Sequence, residues 1–191
     1  MSSFFAMLGR LRHIKRWGLM RNTQPEDVLQ HSAQCAMVAH ALACLGNTRL
    51  GASYDANQIA VQALLHETSE VLTGDLATPI KYFDPRIRDA YHAIERQARD
   101  HMLASLPGDL AAVYTPLVSP EDGAARLIKA ADRICALIKC QEELRAGNDE
   151  FSVALRQTQA ALDAMGCAEA ELFMEEYFPA FCVTLDEQMS G

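Results

Sequence analysis

The chain has 191 residues, half of them apolar and about a fifth charged, with a net charge of −8. That length suits one large core and a single domain over residues 1–191, and no apolar run reaches the roughly 18–20 residues a membrane span needs. The acidic excess argues against broad nucleic-acid binding, whose affinity rests on cationic contacts to phosphates, but leaves room for a small phosphorylated substrate held by a few local cations.

Those cations have an obvious source. No acidic residue precedes Glu26, whereas Arg10, Arg12, Lys15, Arg16 and Arg21 all do. A basic, acid-free start reads either as a transit peptide or as a phosphate-binding first helix. The stretch Phe4 to Leu8 is too short for a secretory core, and its positive charges follow it, so it is read as part of the fold. The first helix is expected from about Phe4 to Lys15. A second runs from about Val28 to Leu45 and stops at Gly46-Asn47. Asp55 can cap a third, with Gln58 completing a capping-box pattern, and that helix continues to about Leu72, before Gly74. Leu76 to Pro85 holds two prolines and reads as a loop. A fourth helix covers about Arg86 to Ser105, and a short helix or turn spans Pro107 to Tyr114. Ser119-Pro120-Glu121-Asp122 is a helix start with a capping serine and proline at the first position, and the sixth helix continues to Ala146. Two more helices span about Asn148 to Ala164 and Ala168 to Gln188, with Pro179 kinking the last. No run alternates with period two, so the class is all-α, a compact helical bundle. Cys35, Cys44, Cys135, Cys140, Cys167 and Cys182 form no C-x-x-C pair and lie mostly among apolar residues, which fits reduced thiols in a cytoplasmic protein.

On the third helix, Ile59, Ala60, Ala63, Leu64 and Val71 share an apolar arc, and Glu67 falls inside it. A carboxylate there is costly unless paired or metal-bound. His66 lies off the arc, near Glu70. On the second helix His31 shares a face with Cys35, Val38, Leu42 and Leu45. On the sixth, Leu127, Ile128, Ala131, Ile134, Cys135 and Ile138 form a stripe with Asp132 on its flank. Taken singly, each has an ordinary reading: a polar helix end, a satisfied core histidine, a half-buried salt-bridge acid. Together His31, His66, Glu67 and Asp132 offer two imidazoles and two carboxylates, a set suited to zinc or a first-row transition ion. A zincin site is excluded, because H-E-x-x-H needs histidine where Glu70 stands.

The ordered set of an early histidine, a His-acid dipeptide and a distant aspartate resembles the HD-domain phosphohydrolases. The words Arg16-Trp17-Gly18-Leu19-Met20-Arg21-Asn22, His31-Ser32, Glu70-Val71-Leu72-Thr73-Gly74-Asp75-Leu76, Lys129-Ala130-Ala131-Asp132, Lys139-Cys140-Gln141-Glu142-Glu143-Leu144 and Ala146-Gly147-Asn148 resemble, within that superfamily, the bacterial 5′-deoxynucleotidases. The resemblance implies hydrolysis of deoxynucleoside 5′-monophosphates to deoxynucleoside and phosphate. It implies one divalent metal cation (cobalt, manganese or zinc) held by His31, His66, Glu67 and Asp132, which activates water. Arg16 would meet the phosphate, Trp17 the nucleoside, and Glu70 would move a proton. Asp75, Leu76, Ala77 and Thr78 would contact the sugar, with Asp75 at the 3′-hydroxyl. It also implies a homodimer. An HD-type triphosphohydrolase acting on deoxynucleoside triphosphates, using Arg12, Lys15, Arg21 and Lys81, and a catalytically silent nucleotide-binding protein are the competing expectations. This sequence departs from the family at three places. Glu67 replaces the aspartate of the dipeptide, Leu29-Gln30 replaces Ser-Glu before His31 and removes a supporting charge, and Ala77 replaces a proline, which predicts a less rigid sugar loop.

Overall fold

The computed structural model describes residues 1–190. Eleven α-helices are found among them: α1 (Phe4–Leu8), α2 (Val28–Arg49), α3 (Ala56–Leu64), α4 (Glu70–Thr73), α5 (Thr78–Lys81), α6 (Pro85–Ala104), α7 (Gly108–Val118), α8 (Asp122–Arg145), α9 (Ser152–Asp163), α10 (Ala168–Glu176) and α11 (Leu185–Met189). Short 3-10 helices cover Gly9–His13, Asp149–Phe151 and Phe178–Cys182. The one extended pairing among the described residues is a bridge between Lys15 and Asp27. No helix among them is long and apolar enough to cross a membrane.

The long helices α2 and α8 form the centre. Cys35, Leu42 and Ala43 of α2 meet Leu127, Ile134, Leu137 and Ile138 of α8, and Ile59, Leu162 and Phe173 close the sides from α3, α9 and α10. Burying each large apolar side chain contributes about 1.5–3 kcal/mol. A smaller cluster joins Phe4 to Met102 and Leu106, so the basic N-terminal segment is folded against α6 and α7. Phe4 is fully buried and meets Tyr114 edge-on, with ring centroids 5.2 Å apart.

Several boundaries differ from the sequence expectation, each for a local reason. The first helix is α only to Leu8 and then tightens to a 3-10 turn ending at His13. Gly46-Asn47 does not stop α2, which runs on to Arg49. Gly46 serves a close approach: a Cβ there would lie 2.7 Å from the Tyr54 ring. Asn47 holds the following turn by donating to Tyr54 O (2.8 Å) and accepting from Tyr54 N (2.7 Å). Asp55 does cap α3, accepting from Gln58 N at 2.9 Å. However, α3 ends at Leu64, and Leu65 to Ser69 form tight turns. Leu64 is thereby exposed, and Val71 packs on the Phe4 cluster instead of the main core. The loop after Leu76 contains α5, with Pro79 in its first turn. α7 continues through Pro116 to the buried Val118, which makes Ser119 its closing residue; α8 starts at Asp122, and Ser119 does not cap it. At Pro179 the last helix breaks instead of kinking: a 3-10 turn leads to the extended Val183, and Thr184 starts α11 with a reciprocal capping box.

Candidate metal centre

His31 enters from the first turn of α2. That turn is fixed by a capping box the sequence reading missed: Asp27 Oδ1 accepts from Gln30 N (2.9 Å) and Gln30 Oε1 accepts from Asp27 N (3.0 Å). Gln30 therefore anchors the helix that presents His31. Asp132 enters from the middle of α8. His66 and Glu67 come from the turn after α3, not from a continuous helix. His66 Nδ1–H donates to Ala63 O at 2.6 Å, taking the carbonyl that a continuing helix would offer to Glu67 N. Thr68 Oγ1–H likewise takes Leu65 O (2.6 Å). Side-chain bonds of this kind compete with helical ones, and here they turn the His66–Glu67 pair inward.

His31, His66, Glu67 and Asp132 each bring one ligand atom into a group lying within 4.8 Å of one another. His66 Nε2 is 3.1 Å from Glu67 Oε1, and His31 Nε2 is 3.3 Å from Asp132 Oδ1 and 4.0 Å from Glu67 Oε1. None of these nitrogens is aligned for a hydrogen bond: both nitrogens of His31 and Nε2 of His66 are buried without a partner. Such orphaned buried atoms are costly. A divalent cation would satisfy one nitrogen of each ring, and because Ala63 O holds the proton on His66 Nδ1, Nε2 is the nitrogen of His66 left to ligate it. The donor set and its orphaned nitrogens therefore fit a metal ion.

The electrostatics agree. Burial, reinforced by Arg16, pushes the His31 pKa down and keeps it neutral. Burial opposes charging of Glu67, but His66 beside it outweighs that and holds its carboxyl down to about 2. Asp132 is likewise held well below the ordinary range: burial works against it, and Lys129 and His31 prevail. Lys129 Nζ donates to Asp132 Oδ2 at 2.7 Å, leaving Oδ1 to face His31. Glu70 moves the other way. It is buried, with Oε2 unpartnered, and burial together with the Glu67 and Asp75 carboxylates pushes it up to about 10.

Arg16 reaches the cluster from the other side, Nη1 lying 3.8 Å from Glu67 Oε1. Its Nε donates to Glu26 Oε2 at 3.2 Å, and the Trp17 indole N–H donates to the same oxygen at 3.1 Å. The Trp17 ring rests on Phe151, centroids 5.2 Å apart, and its φ of 58° is left-handed, a strained conformation for a bulky residue. Asp75 is half-buried and faces Arg16 and Glu67 electrostatically; burial raises its pKa and Arg16 opposes that rise. No hydrogen bond brings the side chains of Leu76, Ala77 or Thr78 to the cluster. Ala77 precedes α5 with φ −53°. Tyr91 of α6 donates to Gly74 O (3.0 Å) and so holds the start of that loop. A groove on α6 lined by Asp89, His92, Glu95, Arg96 and Arg99 shares no residue with the centre.

No role for Glu26, Lys129 or Tyr91 follows from the sequence reading. The Lys129–Asp132 contact was visible in principle as an i,i+3 pair; the other two are tertiary contacts with no local signal.

Residues 3–181 match the family model "5′-deoxynucleotidase YfbR-like". The 5′-deoxynucleotidase YfbR of Escherichia coli O1:K1 / APEC is 46% identical over 189 residues, covering 97% of this chain and 95% of that protein. Among solved structures, an HD-domain phosphohydrolase from Listeria innocua superposes with a TM-score of 0.82 at 20% identity, covering 98% of this chain and 92% of that one. The cyanophage S-2L HD phosphohydrolase DatZ, solved with dA and one catalytic Zn2+ ion, gives 0.62 at 19% identity, covering 92% and 96%. With a family model matching residues 3–181 and 46% identity to that Escherichia coli relative over nearly the whole of both chains, the chain belongs to the YfbR-like 5′-deoxynucleotidase family.

Proposed function

We propose that this protein is a metal-dependent phosphomonoesterase that hydrolyses deoxynucleoside 5′-monophosphates to deoxynucleoside and orthophosphate. The observation that carries the reading is the four-residue donor cluster with its orphaned imidazole nitrogens, set against the buried guanidinium of Arg16. His31, His66, Glu67 and Asp132 would hold one divalent ion; two nitrogen and two oxygen donors suit cobalt, manganese or zinc. When bound, such an ion would supply a water of lowered pKa and offset phosphate charge.

The chain's own groups do the rest. Arg16, oriented by Glu26, presents its planar fork to the phosphate. Glu70, whose carboxyl burial and the nearby Glu67 and Asp75 carboxylates push up, moves a proton to the departing 5′-oxygen. Trp17 flanks the nucleoside. The segment Asp75, Leu76, Ala77 and Thr78 faces the sugar, with Asp75 accepting from the 3′-hydroxyl. The triphosphohydrolase reading lacks support of this kind: Lys81 is tied to Glu95 at 2.9 Å, and Arg12 and Lys15 are exposed. The protein works in the cytoplasm, where its six free thiols stay reduced, and as a homodimer, for which exposed Ile80, Tyr82, Phe83 and Ile87 offer apolar surface. Light scattering tests the latter.

The deciding experiment loads the protein separately with cobalt, manganese and zinc and measures orthophosphate release from deoxynucleoside and ribonucleoside 5′-monophosphates. The expected result is turnover of deoxy substrates, lost in His66→Ala. Tripolyphosphate release from a deoxynucleoside triphosphate, or no turnover with any metal, overturns the proposal.

A further inference from the structure

The proposed phosphate and nucleoside contacts, Arg16 and Trp17, lie on one arm, residues 16–26, that leaves and returns at a single point. At its base Lys15 bridges Asp27, Arg16 N donates to Glu26 O (3.0 Å), and Val28 N donates to Ile14 O (3.0 Å). At its tip the arm docks on one buried side chain of α8. Glu143 is 1% exposed. Its carboxylate accepts from Thr23 N (2.9 Å), Thr23 Oγ1 (2.8 Å), Gln24 N (3.2 Å), Asn148 Nδ2 (2.8 Å) and Lys139 Nζ. Lys139 donates in turn to Gln24 O, and Asn148 to Arg21 O at 2.6 Å. A buried carboxylate that takes three of its five donors from one loop is a clasp, since any other loop position would strip it of those three bonds while Lys139 and Asn148 stay in place. The clasp also accounts for Trp17. Its left-handed backbone is strained and persists only where the surroundings over-determine it. Between the Glu26 bond, the Phe151 contact and the tip clasp, the arm has no free end to relax into.

We infer that Glu143 is a positioning residue: with Lys139 and Asn148 it presets the arm that carries Arg16 and Trp17, and so governs nucleotide capture without touching nucleotide or metal. The inference rests on the nucleotidase reading for its kinetic half only. Arm contacts made equally to bound substrate and transition state act on KM. A loosened arm therefore raises KM with little change in kcat.

Trp17 is the single tryptophan of the chain, so intrinsic fluorescence reports the arm alone. The test compares the full-length protein with Glu143→Gln, which turns an amide N–H toward the Thr23 and Gln24 donors, and with Glu143→Asp. The control is Glu169→Gln, at a buried acid held by Tyr54 and Arg126 away from the arm. Glu143→Gln is expected to red-shift Trp17 emission, increase its quenching by acrylamide, and raise KM for the deoxynucleotide about tenfold at unchanged metal affinity. Glu143→Asp should recover part of each effect. The control should lower thermal stability with Trp17 emission unchanged. If Glu143→Gln fails to fold, Thr23→Val deletes one bond of the clasp and Asn148→Ala two, and both should shift Trp17 the same way. A folded Glu143→Gln with parental emission and quenching, or a parallel loss of metal affinity, overturns the inference. The fluorescence needs no substrate, so it decides the matter even where deoxynucleotide turnover is absent.

Discussion

Replacing Glu67 by aspartate gives the chain the dipeptide that its family resemblance leads one to expect, yet the structure predicts damage. Glu67 Oε1 already stands 3.1 Å from His66 Nε2, 4.0 Å from His31 Nε2 and 3.8 Å from Arg16 Nη1, a position from which it can share an ion with both histidines and with Asp132. Its backbone cannot advance to compensate, because the Leu65–Ser69 turns are pinned by the His66 and Thr68 side-chain bonds to Ala63 O and Leu65 O. Removing one methylene withdraws the carboxylate by about 1.5 Å. Metal–oxygen ligation spans only about 2.0–2.2 Å, so a retreat of that size loosens the ligand. Misplacements on the order of 1 Å can cost about a hundredfold in rate, equivalent to about 2.7 kcal/mol. The assay pairs orthophosphate release at saturating deoxynucleotide with metal content after dialysis against a graded chelator, and Glu67→Gln separates charge from length. Glu67→Asp should lose about two orders of magnitude in turnover and bind the ion more weakly. Equal or greater metal retention and turnover would refute the reasoning, because it would mean that glutamate is a poor fit to this centre.

Other expectations follow from the same geometry. Arg16→Lys keeps the charge but loses the fork and the Nε bond to Glu26. Charged hydrogen bonds contribute about 1.5–3 kcal/mol, so kcat/KM should fall about 10–100-fold, and an unchanged value would remove Arg16 from phosphate binding. In the metal-free protein, burial works against a charged His66, but Glu67 outweighs it and holds the second proton up to about 10. A pKa raised in the fold contributes stability that is fully present below the ordinary value of about 6.5 and is lost as pH rises through about 10. An ion must displace that proton, so binding near neutral pH should release about one proton, with affinity climbing about tenfold per pH unit until about pH 10; calorimetry in buffers of different ionisation heat should show it, and zero release would sink it. Finally, Ala77 has φ −53°, within reach of proline's fixed value, and its N–H donates no backbone hydrogen bond. Ala77→Pro should stabilise the protein by about 0.4–1 kcal/mol, read as a rise in urea midpoint; a lower midpoint would show that the sugar loop needs a conformation proline denies it.

The helical class and the buried faces of the two central helices were legible because those helices are long. Over 22 residues of α2 and 24 of α8 the 3.6 period repeats often enough to name the inward residues: Cys35, Val38 and Leu42 on one, Leu127, Ile134 and Ile138 on the other. Boundaries were not legible wherever a distant group set them. Gly46 looks like a stop, but the glycine is there for the Tyr54 ring. Ser119-Pro120 looks like a start, but α7 runs through Pro116 to bury Val118 and uses Ser119 as its end. The unwinding at His66 depends on which carbonyl a histidine nitrogen takes, and no propensity scale carries that choice.

The centre itself was legible through its cost. Glu67 on an apolar arc, His31 on an apolar face and Asp132 beside an apolar stripe are each expensive alone, and the chain carries all three. The structure shows what offsets them: Lys129 on Asp132, and His66 and Arg16 beside Glu67, while the unpartnered imidazole nitrogens fit a further cation. Periodicity can reveal a polar residue where burial makes it expensive, since that follows from a helix's own register. It cannot reveal the partner, because Glu26 and Glu143 reach their targets across 9 to 10 and 119 to 120 residues of chain respectively. The four residues that the structure brings together could therefore be picked out in the chain. Those that fix Arg16 and Trp17 in place lie in the tertiary fold, where the arm returns to α8.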